Sequence, residues 1–206
     1  MPLHVVRHPL VDDALAGLRD KRTPSDEFRR LARRVSLLLA VEATRDLALG
    51  ESAIETPLER TSARALSARV VAVPVLRAGL GMLDAFLELV PPAQVGYFGL
   101  ERNEQTAVAR RYYEKVPREL STAIVFLLDP MLATGGSAVM AVDGLMGLGA
   151  RRVRLLSIVA APEGIEHLSR HVPDAEIFTA AVDRELNDRK YILPGLGDFG
   201  DRLFGT

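Results

Sequence analysis

Val125-Phe126-Leu127-Leu128-Asp129-Pro130-Met131-Leu132-Ala133-Thr134-Gly135-Gly136-Ser137 is the stretch on which the reading of this chain turns. From Thr122 to Leu128 the apolar run is continuous, the pattern of a strand buried on both faces of a parallel sheet. It ends in an acid. A turn of small residues follows and opens a helix predicted over about Ser137 to Leu148, ending near Gly149. Gly135 and Gly136 permit close backbone approach. The first amides of a helix, with its positive dipole end, suit an anion, and Thr134 and Ser137 add hydroxyl donors. Asp129 falls at the carboxyl end of its strand, where open α/β sheets bind ligands, and can accept hydrogen bonds from sugar hydroxyls. Taken alone, Thr134-Gly135-Gly136-Ser137 fits a capped tight turn as well. The full strand–acid–turn–helix string favours a phosphate cradle. No G-K-[ST] element and no dinucleotide fingerprint accompanies it.

Working outward, strands are expected over Arg69 to Val75, Ala93 to Leu100, Val153 to Ala160 and Ala175 to Val182. Helices are expected over about Ser25 to Leu49 and Glu163 to His171. The alternation predicts an α/β fold, a mainly parallel twisted sheet flanked by helices. In the first helix Phe28, Leu31, Val35, Leu38 and Leu39 share one face, and Ser25 is placed to cap it. Arg29, Arg30, Arg33 and Arg34 lie mostly off that face. Glu27, Glu42 and Asp46 interrupt them, so a solvated face or dimer rim is expected rather than a nucleic-acid stripe. Arg102 to Pro117 is polar and reads as a mobile loop or hairpin. Tyr191 to Thr206 reads as ordered loop.

The composition sets limits. A chain of 206 residues that is 48% hydrophobic can bury a core, and residues 1–206 are read as a single domain. A formal net charge of -1 supplies no global field for nucleic acid or an anionic membrane. With no cysteine, disulfides, thiolate metal sites and cysteine nucleophiles are excluded, which fits a reducing cytosol. No secretory signal is expected from Met1 to Leu18, and the apolar runs are too short to span a bilayer. His4, His8, His167 and His171 lie outside the motifs. His167 and His171 have helical i,i+4 spacing, but no carboxylates are arranged with them as for a metal, so surface or packing roles are expected.

The cradle string resembles the PRPP-binding motif of the type I phosphoribosyltransferases, an apolar strand, acids and a Thr-Gly-Gly turn. The usual motif has two adjacent acids; here Asp129 is followed by Pro130, the form seen in uracil phosphoribosyltransferases. Three further strings extend that resemblance. Pro74-Val75-Leu76-Arg77-Ala78-Gly79-Leu80-Gly81-Met82 resembles the family's pyrophosphate loop, with Arg77 able to fork onto phosphate oxygens. Glu101-Arg102-Asn103-Glu104 matches the start of the loop that folds over the diphosphate. Gln105 to Arg111 departs from it by being basic. Tyr191-Ile192-Leu193-Pro194-Gly195-Leu196-Gly197-Asp198-Phe199-Gly200-Asp201-Arg202-Leu203-Phe204-Gly205 is similar to the uracil-binding loop. Phe199 replaces the small residue usual there, and its side chain is expected to point away.

The resemblance implies transfer of the phosphoribosyl group of PRPP to uracil, giving UMP and pyrophosphate. It assigns PRPP to Arg77, Arg102, Asp129, Pro130, Met131, Leu132, Ala133, Thr134, Gly135, Gly136, Ser137 and Asp198. Uracil falls to backbone at Ile192 and at Gly197, Asp198 and Phe199. Arg77, Asp129 and Asp198 are the catalytic candidates. Mg2+ would be held mainly through PRPP oxygens and water. The family also implies a cytoplasmic homodimer or higher homo-oligomer and a possible GTP effector. The rival reading is a PRPP-sensing or RNA-binding regulator on the same fold, which should carry a coherent basic surface.

Overall fold

A computed structural model describes residues 2–102 and 109–206, except the side chains of Arg102 and Ala109. In chain order the elements are β1 (Leu3–Val5), α1 (Pro9–Arg19), α2 (Ser25–Ala43), β2 (Leu49–Glu55), β3 (Arg60–Leu66), β4 (Arg69–Leu76) and α3 (Leu80–Leu89). There follow β5 (Gln94–Val95), β6 (Tyr97–Arg102), β7 (Ala109–Lys115), β8 (Ala123–Leu128), β9 (Met131–Leu132), α4 (Gly136–Gly147) and β10 (Arg152–Ala160). The chain closes with α5 (Pro162–His171), β11 (Glu176–Val182), β12 (Glu185–Leu186), β13 (Ile192–Leu193) and α6 (Phe199–Phe204).

The central sheet runs β1-β11-β10-β8-β4-β6-β7, with short β5 on β4 and β9 on β10. All its ladders are parallel except β6–β7. Alternating residues of β8 face opposite ways, as a strand requires. Ile124, Phe126 and Leu128 join the apolar cluster beneath α1, α2 and α3. Ala123, Val125 and Leu127 join the one beneath α4 and α5. Each large side chain so buried contributes roughly 1.5–3 kcal/mol. The twofold demand for apolar cover explains why β8 lacks any polar residue.

Several boundaries differ from expectation. Helix α2 stops at Ala43, not near Leu49. The buried Arg154 takes the Ala43 carbonyl at 2.6 Å and forks onto Asp46 at 2.6 and 2.7 Å, drawing the chain off the helix axis. Residues from Leu49 then enter the exposed β2–β3 hairpin. Ser25 is the first helical residue rather than the cap; Pro24 holds the cap position without a side-chain bond. Asp26 and Glu27 instead face the helix dipole. Arg30, Arg33 and Arg34 pair with Glu27, Glu88 and Asp13, and Arg29 donates to the Leu203 carbonyl at 2.8 Å. The N-terminal region is not only helical, since β1 adds an edge strand to β11. The strand expected over Ala93 to Leu100 breaks at Gly96, whose N–H bonds Ala72 O at 2.9 Å. Arg102 to Pro117 contributes β7, which pairs with β6 as an antiparallel hairpin.

Candidate active site

Parallel pairing of β4 with β8, in the register Val73 to Leu127 and Pro74 to Leu128, sets the segments that follow them side by side. One brings Arg77, the other Asp129. Between them, Gly79 is wedged so tightly that a Cβ there would stand 2.3 Å from the Leu128 carbonyl oxygen. Together they bound a cleft of about 210 Å³ at the carboxyl edge of the sheet. Arg77, Asp129, Met131 to Gly135, and Ser137 all line it, and Leu100 of β6 closes one side. Arg77 follows a cis Leu76–Arg77 peptide bond.

The turn after β8 is fixed from beneath. Asp129 N donates to Leu156 O at 3.1 Å, and Ser157 Oγ donates to Asp129 O at 2.6 Å. Met131 N reaches the Asp129 carboxylate at 3.4 Å. Pro130 is buried and absent from the cleft wall; its carbonyl accepts the N–H groups of Ile158 and Val159 at 3.0 and 3.1 Å. These bonds anchor the turn to β10. Gly135 stands at φ 79°, where L side chains rarely go, and provides no capping side chain to α4. That is how a helix start is kept open to an anion. Gly136 is the first residue of α4, its N–H 3.5 Å from Thr134 Oγ1.

Two residues of α5 support this turn. Gly164 of α5 packs so closely that a Cβ there would lie 2.4 Å from Ala133 O and 2.9 Å from Leu132 O. The other is His167, whose Nδ1 stands 3.0 Å from Thr134 O.

The C-terminal segment is more structured than a loop. Strand β13 pairs Ile192 with Leu186 of β12, and α6 follows. The buried Asp183 carboxylate receives Arg19 at 2.6 and 2.8 Å and Gly195 N at 2.9 Å. Arg202 donates to the carbonyls of Leu196 and Asp20 at 2.7 and 2.6 Å, and also to that of Leu18. Burial holds the Arg202 guanidinium below its ordinary pKa. Gly197 has φ 83°. The Phe199 side chain is turned into the core: it is 1% exposed and meets Phe28 edge-on at 5.2 Å. Asp198 caps α6, accepting Asp201 N at 2.9 Å.

Ile192, Gly197, Asp198 and Phe199 are not among the residues walling the cleft. Contact runs through Arg77, which lies 3.9 Å from the Asp201 carboxylate and 5.8 Å over the Phe204 ring. It also runs through Gly81, against which Phe199 and Leu203 pack. Arg102 ends β6 beside the cleft, but its side chain and residues 103–108, including much of the basic stretch, lie outside the described residues. Among the described residues, no group of three or more His, Asp or Glu could hold a metal ion. No helix of those residues is long and apolar enough to cross a membrane.

A uracil phosphoribosyltransferase of Campylobacter curvus is 46% identical over 204 residues, covering 99% of this chain and 98% of its own. One from Pediococcus pentosaceus is 49% identical over 203 residues, with 98% and 97% covered. The structure of the AQ2163 protein from Aquifex aeolicus superposes with a TM-score of 0.95 at 36% identity, covering 99% and 98%. A hypoxanthine-guanine phosphoribosyltransferase from Bacillus anthracis shares the fold alone, at TM-score 0.53 and 10% identity over 77% of this chain and 80% of its own. The family model described as uracil phosphoribosyltransferase matches residues 5–206. With a cradle, an arginine loop and a tail in the arrangement above, this chain belongs to the uracil phosphoribosyltransferase family.

Proposed function

We propose that the cleft between Arg77 and the Asp129–Ser137 turn is where this enzyme works on PRPP. The reaction is transfer of its phosphoribosyl group to uracil, yielding UMP and pyrophosphate. The observation that carries the site is the meeting of one arginine, one carboxylate and an open helix start in a single cleft. In the reaction N1 of uracil replaces pyrophosphate at the anomeric carbon, through a transition state with oxocarbenium character. The turn from Thr134 to Ser137 takes the ribose phosphate on backbone amides and hydroxyls. Asp129 accepts from ribose hydroxyls. Arg77, joined by Arg102, faces the departing diphosphate and stabilises its growing charge. Backbone groups at Ile192 and Gly197 to Phe199 present the base in line, and Asp198 is the candidate acceptor for the N1 proton.

Among the described residues, Asp129 is the one carboxylate on the cleft wall. A donor set this sparse fits Mg2+ carried on diphosphate oxygens and water, not a dedicated protein cage. Bound there, the ion supplies positive charge against the leaving group. We extend the reading to a cytoplasmic homo-oligomer of one functional unit, residues 1–206, responsive to GTP. Nothing supports the regulator reading: the formal charge is -1, and the near-full-length relatives carry the enzyme's name.

The test is incubation of the protein with uracil, PRPP and Mg2+, followed by chromatography. UMP is the expected product. Its absence with folded protein would overturn the assignment, and a panel of other bases would separate purine or orotate use. Omission of Mg2+, gel filtration and titration with GTP address the finer points.

A further inference from the structure

His167 has no place in any of the motifs, yet its ring meets the phosphate turn. Its Nδ1 lies 3.0 Å from the Thr134 carbonyl oxygen. A carbonyl only accepts, so Nδ1 must carry the proton. His171 packs on the ring at a centroid distance of 4.5 Å, and its own Nδ1 lies 2.9 Å from the His167 carbonyl oxygen. The peptide between Thr134 and Gly135 is trans, so its C=O and N–H point in opposite directions. Gly135 lies between the cleft and α5: it lines the cleft, and a Cβ on it would meet Gly164 O at 2.8 Å and His167 Cβ at 3.3 Å. Holding the carbonyl towards α5 therefore aims the Gly135 N–H into the cleft.

We infer that His167 is a positioning residue for the ribose phosphate of PRPP and UMP, acting by fixing the orientation of the Thr134–Gly135 peptide. The inference rests on the phosphate reading of the turn proposed above. A peptide at a glycine flips with little steric resistance, so an outside donor is needed to keep one orientation populated. His167 provides it without touching the ligand. The ligand therefore loses affinity when the donor is lost, while the chemistry at the anomeric carbon is spared.

The experiment compares the parent with His167→Leu, His167→Asn and Ser137→Ala. In His167→Leu, KM for PRPP should rise about two- to tenfold, the worth of one neutral hydrogen bond. The inhibition constant for UMP should rise by the same factor. KM for uracil, the inhibition constant for pyrophosphate and kcat should stay within about twofold of the parent. His167→Asn, whose amide donates from a position near Nδ1, should restore most of the loss. Thermal unfolding of each variant checks the fold. If Ser137→Ala weakens PRPP while His167→Leu does not, or if pyrophosphate weakens in step with UMP, the positioning role is refuted and the cradle stands. If Ser137→Ala and His167→Leu both leave PRPP and UMP unchanged, the phosphate reading of the turn fails and the role of His167 falls with it.

Discussion

Alanine at position 79 would put a methyl carbon 2.3 Å from Leu128 O, and 2.7 and 2.8 Å from the nitrogen and oxygen of Val75. All three neighbours are backbone, so no rotamer change relieves them. Carbon contacts settle near ~3.5 Å, so the segments after β4 and β8 must part by about 1 Å. Overpacking of this kind costs roughly 1–3 kcal/mol, which in a chain of this size lowers the unfolding midpoint by about 2–12 °C. The chemical consequence should be larger. Arg77 lies two residues before the insertion and Asp129 directly follows Leu128, so the two groups proposed to hold PRPP would separate. A displacement of about 1 Å can cost on the order of a hundredfold in rate. The assay is kcat/KM for PRPP at saturating uracil, beside a thermal melt. Gly147→Ala is the control, because a Cβ there meets nothing within 4 Å. It should leave activity unchanged and melt no lower than the parent. Parent-like kinetics and melting in Gly79→Ala would refute the argument that this contact sets the spacing of the site.

Three further outcomes are expected. Arg77→Ala should lower kcat/KM for PRPP about ten- to hundredfold, by loss of charge-assisted bonds worth roughly 1.5–3 kcal/mol; because its side chain is 63% exposed, the melt should barely move. Gly197→Val should abolish uracil turnover, since a β-branched residue is strained at φ 83°, while calorimetric PRPP binding stays within a few-fold, and normal turnover would show that this segment does not read the base. The third concerns Asp46, whose pKa is held below its ordinary value, first by its hydrogen bonds from Arg154. A depressed carboxylate gives stability that is full above the unfolded value near ~3.9 and is lost as pH falls through the folded one. Asp46→Asn should therefore cost about 1–2 kcal/mol at neutral pH, a figure reduced because Asp46 is largely exposed and Glu176 still serves Arg154. The gap should close below about pH 4 in urea titrations; a gap independent of pH would refute the pairing.

The parts of the fold read correctly from sequence are those whose signal is local. Strand β8 announces itself because both its faces are buried, and the Thr134–Ser137 turn because glycine and hydroxyl residues follow an acid. What escaped reading depends on partners far away in the chain. The end of α2 is decided by Arg154, 108 residues beyond Asp46. The hairpin β2–β3 lacks a strong apolar alternation, being exposed on nearly every residue. The tail looked like a loop because its glycines are frequent. The order it has comes from Arg19 and Asp183, which lie outside every motif, and from Arg202, whose motif does not say which distant carbonyls it takes. His167 escaped for the same reason: its importance lies in which carbonyl it faces.

The stitches from Arg202 to Leu18 and Asp20 and from Arg29 to Leu203 join groups 184, 182 and 174 residues apart. Such distant closures are costly in chain entropy and are made late, since ordering falls behind when contacts are non-local. The cradle, by contrast, is tied by nearer partners, with Ser157 on Asp129 28 residues back and His167 on Thr134 33 residues back. Refolding should accordingly pass through a stage at which the molecule recovers affinity for phosphate before it can discriminate between bases. Stopped-flow recovery of PRPP binding and of uracil turnover, followed in parallel, would show a lag in the second. Recovery of both with a single rate constant would mean that the ends of the chain find one another as early as the centre forms.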